Sequence, residues 1–239
     1  MEKKTCMLTF SREKPTFLRL FSESMLQPDL HYLRRITDHP DLAVLLHDTK
    51  FLAAQELFFS VVDSLGGTVD FDIADMREVH AVAALGEGIK GSRVLDIGCG
   101  STEPYVLTDT FRDRYPPFFA EMLTKRGAHV TGIDVRPNPG AHYDHRVLDL
   151  TRPDRMQKLE SQYDLIACFN IFNAPESPFE HDAVLCDRIM DDMRRMLTPE
   201  GILIVTLRDE MFAGAESYVT SKKFELLHRD GNCVWVRRA

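Results

Sequence analysis

A glycine turn with an acidic residue just ahead of it follows a short apolar segment in the middle of the chain. The segment reads Val94-Leu95-Asp96-Ile97-Gly98-Cys99-Gly100. Glycines at such a point let the chain leave a strand sharply and let a ligand approach the bare backbone. A second apolar segment ends in another acid, Asp134. The turn and the two acids predict a ligand site where two neighbouring strands end.

Two classes of cofactor bind at a glycine turn of this kind. A dinucleotide fingerprint has a third glycine three positions after the second, so that a helix N-terminus meets the pyrophosphate. In this chain that position is Glu103, whose carboxylate would repel a pyrophosphate, and Pro104 changes the turn further. A positively charged cofactor without phosphate therefore fits better, and NAD is the weaker alternative.

At these residues the chain resembles the class I S-adenosylmethionine-dependent methyltransferases, whose first motif is Asp/Glu-x-Gly-x-Gly after the first strand. The run from Asp96 to Gly100 fits that motif, and the resemblance extends from about Gly91 to the C-terminus. It implies S-adenosylmethionine as the cofactor and methyl transfer as the activity. The alternative is a methyltransferase-like fold that serves as a non-catalytic scaffold or interaction module.

The resemblance also implies which residues bind the cofactor. Asp96 and the glycine turn would hold its amino-acid end, and Asp134 would accept hydrogen bonds from the ribose hydroxyls. Asp149 would face the adenine amino group, and Phe169 with Asn170 would open onto both cofactor and substrate. With their neighbours, the predicted binding residues are Asp96, Gly98, Cys99, Gly100, Asp134, Val135, Asp149, Leu150, Phe169 and Asn170.

Structural alternatives stand beside some of these roles. Asp134 could cap Arg136 or a backbone amide, and Asp149 could cap a helix before Pro153. Asn170 and Asn173 could be turn residues, of which we expect one to line the mouth of the site. The segment Ser101–Tyr115 is an insertion ahead of the next helix, and it could reshape that mouth.

No catalytic residue can be assigned from the sequence. Methyl transfer from a sulfonium needs a base only if the acceptor must lose a proton. His181, Tyr105, Asp182 and His80 are candidates for that role, and the sequence does not choose among them. The His142–His145 run has metal-like residue types, but it is interpreted as a solvated loop, so no metal site is predicted.

The residues after about 90 alternate between short apolar segments and helical segments, which predicts a doubly wound, Rossmann-like α/β fold. An Asp230-Gly231 pair predicts a tight hairpin, so that the last strand of seven runs antiparallel. The predicted helices include Pro117–Lys125 and Asp182–Leu197. The predicted strands are Arg93–Ile97, His129–Val135, Arg146–Leu150, Tyr163–Phe169, Ile202–Leu207, Phe224–Arg229 and Asn232–Arg237.

The first 90 residues show helical periodicity, with a short helix predicted at Met76–Leu85. We interpret residues 1–90 as an N-terminal helical cap or lid and residues 91–239 as the cofactor-binding domain. The aromatic residues of the cap, which could close over an acceptor, are Phe17, Phe21, Phe51, Phe58 and Phe59.

Composition narrows the choice of partner and compartment. Twenty-nine basic against 37 acidic residues give a net charge of −8, which disfavours nucleic acid as the acceptor. We therefore expect a small-molecule acceptor, with a basic protein tail as the alternative. Five scattered cysteines without a Cys-x-x-Cys pair favour a reducing cytoplasm. The apolar run Leu42–Leu46 is too short to span a membrane, and the oligomeric state is left open.

Overall fold

The computed structural model describes residues 26–38, 48–65, 73–103, 116–152, 155–159, 162–173, 177–179, 182–212 and 214–239. Within these ranges seven strands form one sheet in the order β3-β2-β1-β4-β5-β7-β6. The strands are β1 Arg93–Ile97, β2 His129–Asp134, β3 Asp144–Val147, β4 Tyr163–Cys168, β5 Leu197–Thr206, β6 Phe224–Asp230 and β7 Cys233–Arg238.

The pairing of the strands confirms the predicted fold class. Strands β1 to β5 pair in parallel, and β7 lies antiparallel between β5 and β6. The hairpin that joins β6 to β7 turns at Gly231, whose φ of 55° is positive. β1 and β2 are adjacent, with Arg93 opposite His129 and Ile97 opposite Ile133. Their carboxyl ends, and with them Asp96 and Asp134, therefore meet at one edge of the sheet.

Two strands differ from their predicted bounds by more than one residue. β3 covers Asp144–Val147 instead of Arg146–Leu150, because it is an exposed edge strand whose start carries no apolar signal. β5 begins at Leu197 instead of Ile202. Its first residue, the buried Leu197, pairs with Tyr163 of β4, and the polar residues that follow lie at an irregularity in the register between the two strands. Periodicity in hydrophobicity marks only the buried part of such a strand.

Helices cover both faces of the sheet. On one face lie α1 Leu30–Asp38, α2 Thr49–Ser64, α3 Ile73–Leu85 and α4 Phe118–Lys125; the opposite face carries α5 Ala183–Met196 and α7 Ala215–Ser221, and the short α6 Asp209–Phe212 precedes α7. The observed α4 and α5 match the predicted helices to within one residue at each end. α5 begins where Asp182 accepts a hydrogen bond from the backbone N–H of Leu185 at 2.8 Å, the usual N-cap arrangement.

The described helices ahead of residue 90 share a hydrophobic core with the sheet. Phe51 and Phe58 are buried in the cluster that includes Val94 and Trp235 of the strands, whereas Phe59 is half exposed. The division at residue 90 and the role of a lid remain predictions, and Phe17 and Phe21 lie outside the described residues. Among the helices that the structure describes, none has the length and apolar character needed to cross a membrane.

Candidate cofactor site

Asp96 is the fourth residue of β1 and is only 2% exposed. Its Oδ2 atom is buried and has no hydrogen-bond partner among the described residues. Burial raises the pKa of this carboxyl to about 8, and the negative charge of Asp134 acts in the same direction. An unpartnered buried acceptor is costly to a fold, so it indicates a place prepared for a donor or a cation.

The glycine turn follows directly and takes a backbone conformation that favours glycine. Gly98 and Gly100 have φ angles of 70° and 87°. The N–H groups of Gly98 and Cys99 both donate to the carbonyl of Ile133 on β2, at 2.8 and 3.1 Å. A Cβ atom on residue 98 would lie 2.2 Å from Cδ1 of Ile171. The turn is thus held tightly between β2 and the loop that follows β4.

Asp134, at the end of β2, binds this turn through its carboxylate. Oδ2 accepts the N–H of Gly100 at 3.1 Å, and Oδ1 accepts the N–H of Arg136 at 3.1 Å. The contact with the N–H of Arg136 is the capping contact that the sequence analysis gave as an alternative for Asp134. The role of Asp134 at the ribose hydroxyls remains a prediction. The neighbouring Val135 is 58% exposed, as an apolar wall for a planar base would be.

Asp149 occupies a turn at the end of β3. Its Oδ1 accepts the hydroxyl of Thr151 at 2.6 Å and the N–H of the same residue at 3.0 Å, while Oδ2 pairs with Arg152 at 3.1 Å. The Thr151 hydroxyl is the main cause that lowers the pKa of Asp149. These are the contacts of a capping residue, which was the structural alternative for Asp149. A contact of Asp149 with the adenine amino group stays a prediction. Leu150, next in the chain, is buried.

Phe169 and Asn170 directly follow β4, near the glycine turn. The ring of Phe169 packs edge-on against Phe119 of α4, with 5.1 Å between centroids. Asn170 has a φ of 57°, and its N–H donates to the hydroxyl of Thr206 at 2.5 Å. That hydroxyl donates in turn to Oδ1 of Asn173 at 3.1 Å. Thr206 was not among the predicted residues; its only signal in the sequence is its place at the end of a strand, where ligands bind in open α/β sheets.

A polar network that sequence reasoning missed ties the glycine turn to the loop between β2 and β3. Tyr143 donates its hydroxyl to Sγ of Cys99 at 3.5 Å and accepts the amide of Asn138 at 3.1 Å. Asn138 also accepts the hydroxyl of Thr102 at 3.0 Å. Burial is the main cause that raises the pKa of the Cys99 thiol, so this cysteine is held as an uncharged packing residue.

The two histidines of the His142–His145 run have structural partners, and this run is not all loop as expected, because its last two residues begin β3. His142 donates its backbone N–H to the buried Glu121 of α4, and its ring Nδ1 lies 3.0 Å from the same carboxylate. Nε2 of His145 lies 2.7 Å from the carbonyl of Arg136. Within the described ranges, no group of three or more His, Cys, Asp or Glu residues is arranged to hold a metal ion.

Of the four candidate bases, His181 and Tyr105 lie outside the described residues. Asp182 caps α5. His80, on α3, is half-buried against α1 and α2, where its Nδ1 lies 2.8 Å from the hydroxyl of Tyr32 and its ring lies 5.3 Å from that of Phe51. Both described candidates therefore have structural contacts, and the structure singles out no base.

The residues present fit a cationic, phosphate-free cofactor. Asp96 supplies an unpartnered buried carboxylate oxygen, and the turn from Gly98 to Gly100 offers backbone without side-chain bulk. A pyrophosphate would instead meet Asp96 and Asp134 together, two acids at the same sheet edge. The donor set thus agrees with S-adenosylmethionine, whose ammonium group and sulfonium carry positive charge.

Comparison with known proteins agrees with this geometry. Residues 72–238, the larger part of the chain, match the family described as "Methyltransferase domain". Curated relatives include a ubiquinone biosynthesis O-methyltransferase from Aeromonas salmonicida, 29% identical over 105 residues, and one from Xylella fastidiosa, 26% identical over 129 residues. The matched parts cover 44% and 49% of this chain but only 34% and 42% of those relatives, so the chain spans less than half of their length.

Among solved structures, the N-methyltransferase NodS from Bradyrhizobium japonicum in complex with S-adenosylhomocysteine is 19% identical. It aligns over 76% of this chain and 96% of its own length, with a TM-score of 0.47. The family match, which covers most of the sheet and the whole glycine turn, decides the assignment. The chain belongs to the class I S-adenosylmethionine-dependent methyltransferases, and S-adenosylmethionine is its cofactor.

Proposed function

We propose that this protein transfers a methyl group from S-adenosylmethionine to a small-molecule acceptor. The observation that carries the proposal is the buried, unpartnered Oδ2 of Asp96 beside the Gly98–Gly100 turn. When bound, the cofactor supplies an electrophilic methyl group on a sulfonium. Asp96 would hold its cationic end, Asp134 the ribose, and Asp149 the adenine side.

The described residues that we assign to the acceptor side are uncharged. Asn170 and Asn173 follow β4, and Thr206 ends β5, at the edge of the sheet that holds the glycine turn. Together with a net charge of −8, these neutral residues favour a small acceptor over a nucleic acid. The curated relatives are O-methyltransferases of ubiquinone biosynthesis, which supports a small molecule here and makes oxygen the first acceptor atom to test.

Catalysis in this proposal depends mainly on positioning. Holding the acceptor in line with the methyl group can contribute about 7–11 kcal/mol to lowering the barrier. No side chain is obligatory unless the acceptor must lose a proton. The cytoplasm is the proposed compartment, since the four described cysteines are all free thiols, as a reducing environment would keep them.

Calorimetry with S-adenosylmethionine and S-adenosylhomocysteine tests the cofactor part of the proposal. Wild type should bind both ligands, and Asp96→Ala and Asp134→Ala should each lose most of that binding. Asp144→Ala is the matched control, because Asp144 is an exposed acid on the adjacent edge strand whose partner is Arg146. Equal binding by all four proteins would contradict the assigned site.

Labelled methyl transfer into a fractionated host extract tests the acceptor. We expect the label in the small-molecule fraction, and less of it with Asp96→Ala. Label found only in protein or RNA would overturn the choice of acceptor. Tight cofactor binding without any transfer would favour a non-catalytic scaffold.

A further inference from the structure

The hydroxyl of Thr206 joins two residues of the loop after β4. Thr206 is fully buried as the last residue of β5. It accepts the backbone N–H of Asn170 at 2.5 Å and lies 3.1 Å from Oδ1 of Asn173. One short polar side chain thus fixes both the backbone where the loop begins and a side chain three residues later.

The hydrogen bonds of this hydroxyl orient the side-chain amide of Asn173. A threonine hydroxyl has a single proton, and it already accepts the N–H of Asn170. In the structure this proton is donated to Oδ1 of Asn173, which leaves the Nδ2 amide group of Asn173 with two N–H bonds to offer elsewhere. Within the part of the chain that the structure describes, no side chain or backbone carbonyl accepts from this nitrogen.

The same loop is fixed on its other side by the glycine turn. Asn170 takes a left-handed φ of 57°, after which Ile171 packs against Gly98. Ser177 donates its hydroxyl to the carbonyl of Ile171 at 2.8 Å. Asn173 is half-buried, so it reaches solvent from a loop held against both β5 and the cofactor turn.

We propose that Thr206 is a positioning residue that presents the Asn173 amide as a hydrogen-bond donor to the methyl acceptor. This inference rests on the proposed function. The acceptor then carries an oxygen lone pair, from a hydroxyl, phenolate or carbonyl group, at or beside the methylated atom. A methyl acceptor that offers only hydrogen-bond donors at that point is disfavoured, because the Nδ2 group of Asn173 can donate but not accept.

Four variants separate this role from a structural one. Thr206→Val keeps the shape of the side chain but removes the hydroxyl, and Thr206→Ser restores it. Asn173→Asp can still accept the Thr206 proton, but it has no N–H group to donate. Thr198→Val is the matched control, because it makes the same exchange at the other end of β5.

The measurements are the dissociation constant of S-adenosylmethionine by calorimetry, and the rate and half-saturating acceptor concentration of labelled transfer into the small-molecule fraction. Thr206→Val should slow transfer about 100-fold, since displacement of a reacting group by about 1 Å has that effect, and Thr206→Ser should recover most of the rate. Asn173→Asp should raise the half-saturating acceptor concentration about tenfold, because one hydrogen bond to the acceptor is lost. None of the four should change the cofactor constant more than a few-fold.

Wild-type rates in Thr206→Val, or an unchanged half-saturating concentration in Asn173→Asp, would overturn the proposal. Parallel losses of cofactor binding and transfer in Thr206→Val, without recovery in Thr206→Ser, would also overturn it, because they would mark a role in folding alone. Absence of transfer by wild type, with cofactor binding intact, would instead overturn the proposed function and this inference with it. If Thr206→Val does not fold, Asn173→Asp alone decides.

Discussion

The side chain of Ile171 occupies the space that a side chain on Gly98 would need. A Cβ atom at residue 98 would lie 2.2 Å from Cδ1 and 2.7 Å from Cγ1 of Ile171, distances that packed carbon atoms do not adopt. The first glycine of the turn is therefore required twice, by its positive φ and by this contact. The loop after β4 and the glycine turn form one packed unit through these two residues.

Gly98→Ala should weaken cofactor binding more than tenfold and destabilise the fold. The left-handed backbone alone costs an alanine about 1–2 kcal/mol, and the contact with Ile171 adds to that cost. Urea unfolding and calorimetry with S-adenosylmethionine measure the two effects. Gly140→Ala is the control, because nothing lies within 4 Å of its Cβ position, and it should be nearly neutral. Equal behaviour of the two variants would contradict the packing described here.

Binding of S-adenosylmethionine should release close to one proton at pH 7. Burial raises the pKa of Asp96 to about 8, so the carboxyl is mostly protonated in the free protein, whereas a cationic ligand favours the carboxylate. Affinity should rise with pH up to about 8, by at most about tenfold for each unit. Calorimetry in buffers of different ionisation enthalpy counts the proton. Asp144→Asn should release it as wild type does, and binding without proton release would show that Asp96 is already ionised.

Asp96→Asn should stabilise the cofactor-free protein at pH 7 to 8 while weakening cofactor binding. The ordinary pKa of 3.8 applies to the unfolded chain, and the folded value is about 8. Between these values unfolding releases a proton, so the stability that Asp96 contributes is present below about 3.8 and is lost as the pH rises through 8. Thermal unfolding between pH 5 and pH 9 measures the difference. A variant that is less stable than wild type at pH 8 would contradict this sign.

His80 should make the protein sensitive to acid. Burial lowers the pKa of this imidazole from 6.5 to about 4, against a smaller opposing effect of Asp230. The stability that depends on neutral His80 is present above pH 6.5 and is lost as the pH falls towards 4, by about 1 kcal/mol per unit. In thermal unfolding, the Tm of His80→Gln should fall less steeply than that of wild type as the pH is lowered. His129→Gln, at an exposed position, should follow wild type, and identical slopes in all three proteins would assign the acid sensitivity to other groups.

The parts of the site that sequence reasoning identified are local in the chain. Asp96 and the glycines stand within five residues, and the strand that leads into them is buried on both faces, so type and spacing alone reveal them. Thr206 lies 36 residues after Asn170, and Tyr143 lies 44 residues after Cys99. Their contacts exist only because β4 pairs with β5 and because the loop after β2 folds back over the turn. No local sequence pattern predicts contacts between residues so far apart in the chain.

The start of β5 shows the same limit for the fold. Leu197 to Gly201 contains proline, glutamate and glycine, which discourage the prediction of a strand, yet the segment extends β5 because Leu197 pairs with Tyr163 of β4. Strand pairing can override local preference where a neighbour offers free backbone groups. The core of each strand was predictable, and the ends depended on what lies beside them.

The contact between Ile171 and Gly98 also has a thermodynamic consequence. One end of the loop contacts the turn assigned to the cofactor, and the other end contains Asn173, which is assigned to the acceptor. Ordering of this loop by one ligand should therefore favour the other, and linkage requires the two effects to be equal in size. S-adenosylhomocysteine should raise affinity for an acceptor analogue by the same factor by which that analogue raises affinity for S-adenosylhomocysteine. Ile171→Ala should diminish both factors together and leave each ligand to bind independently.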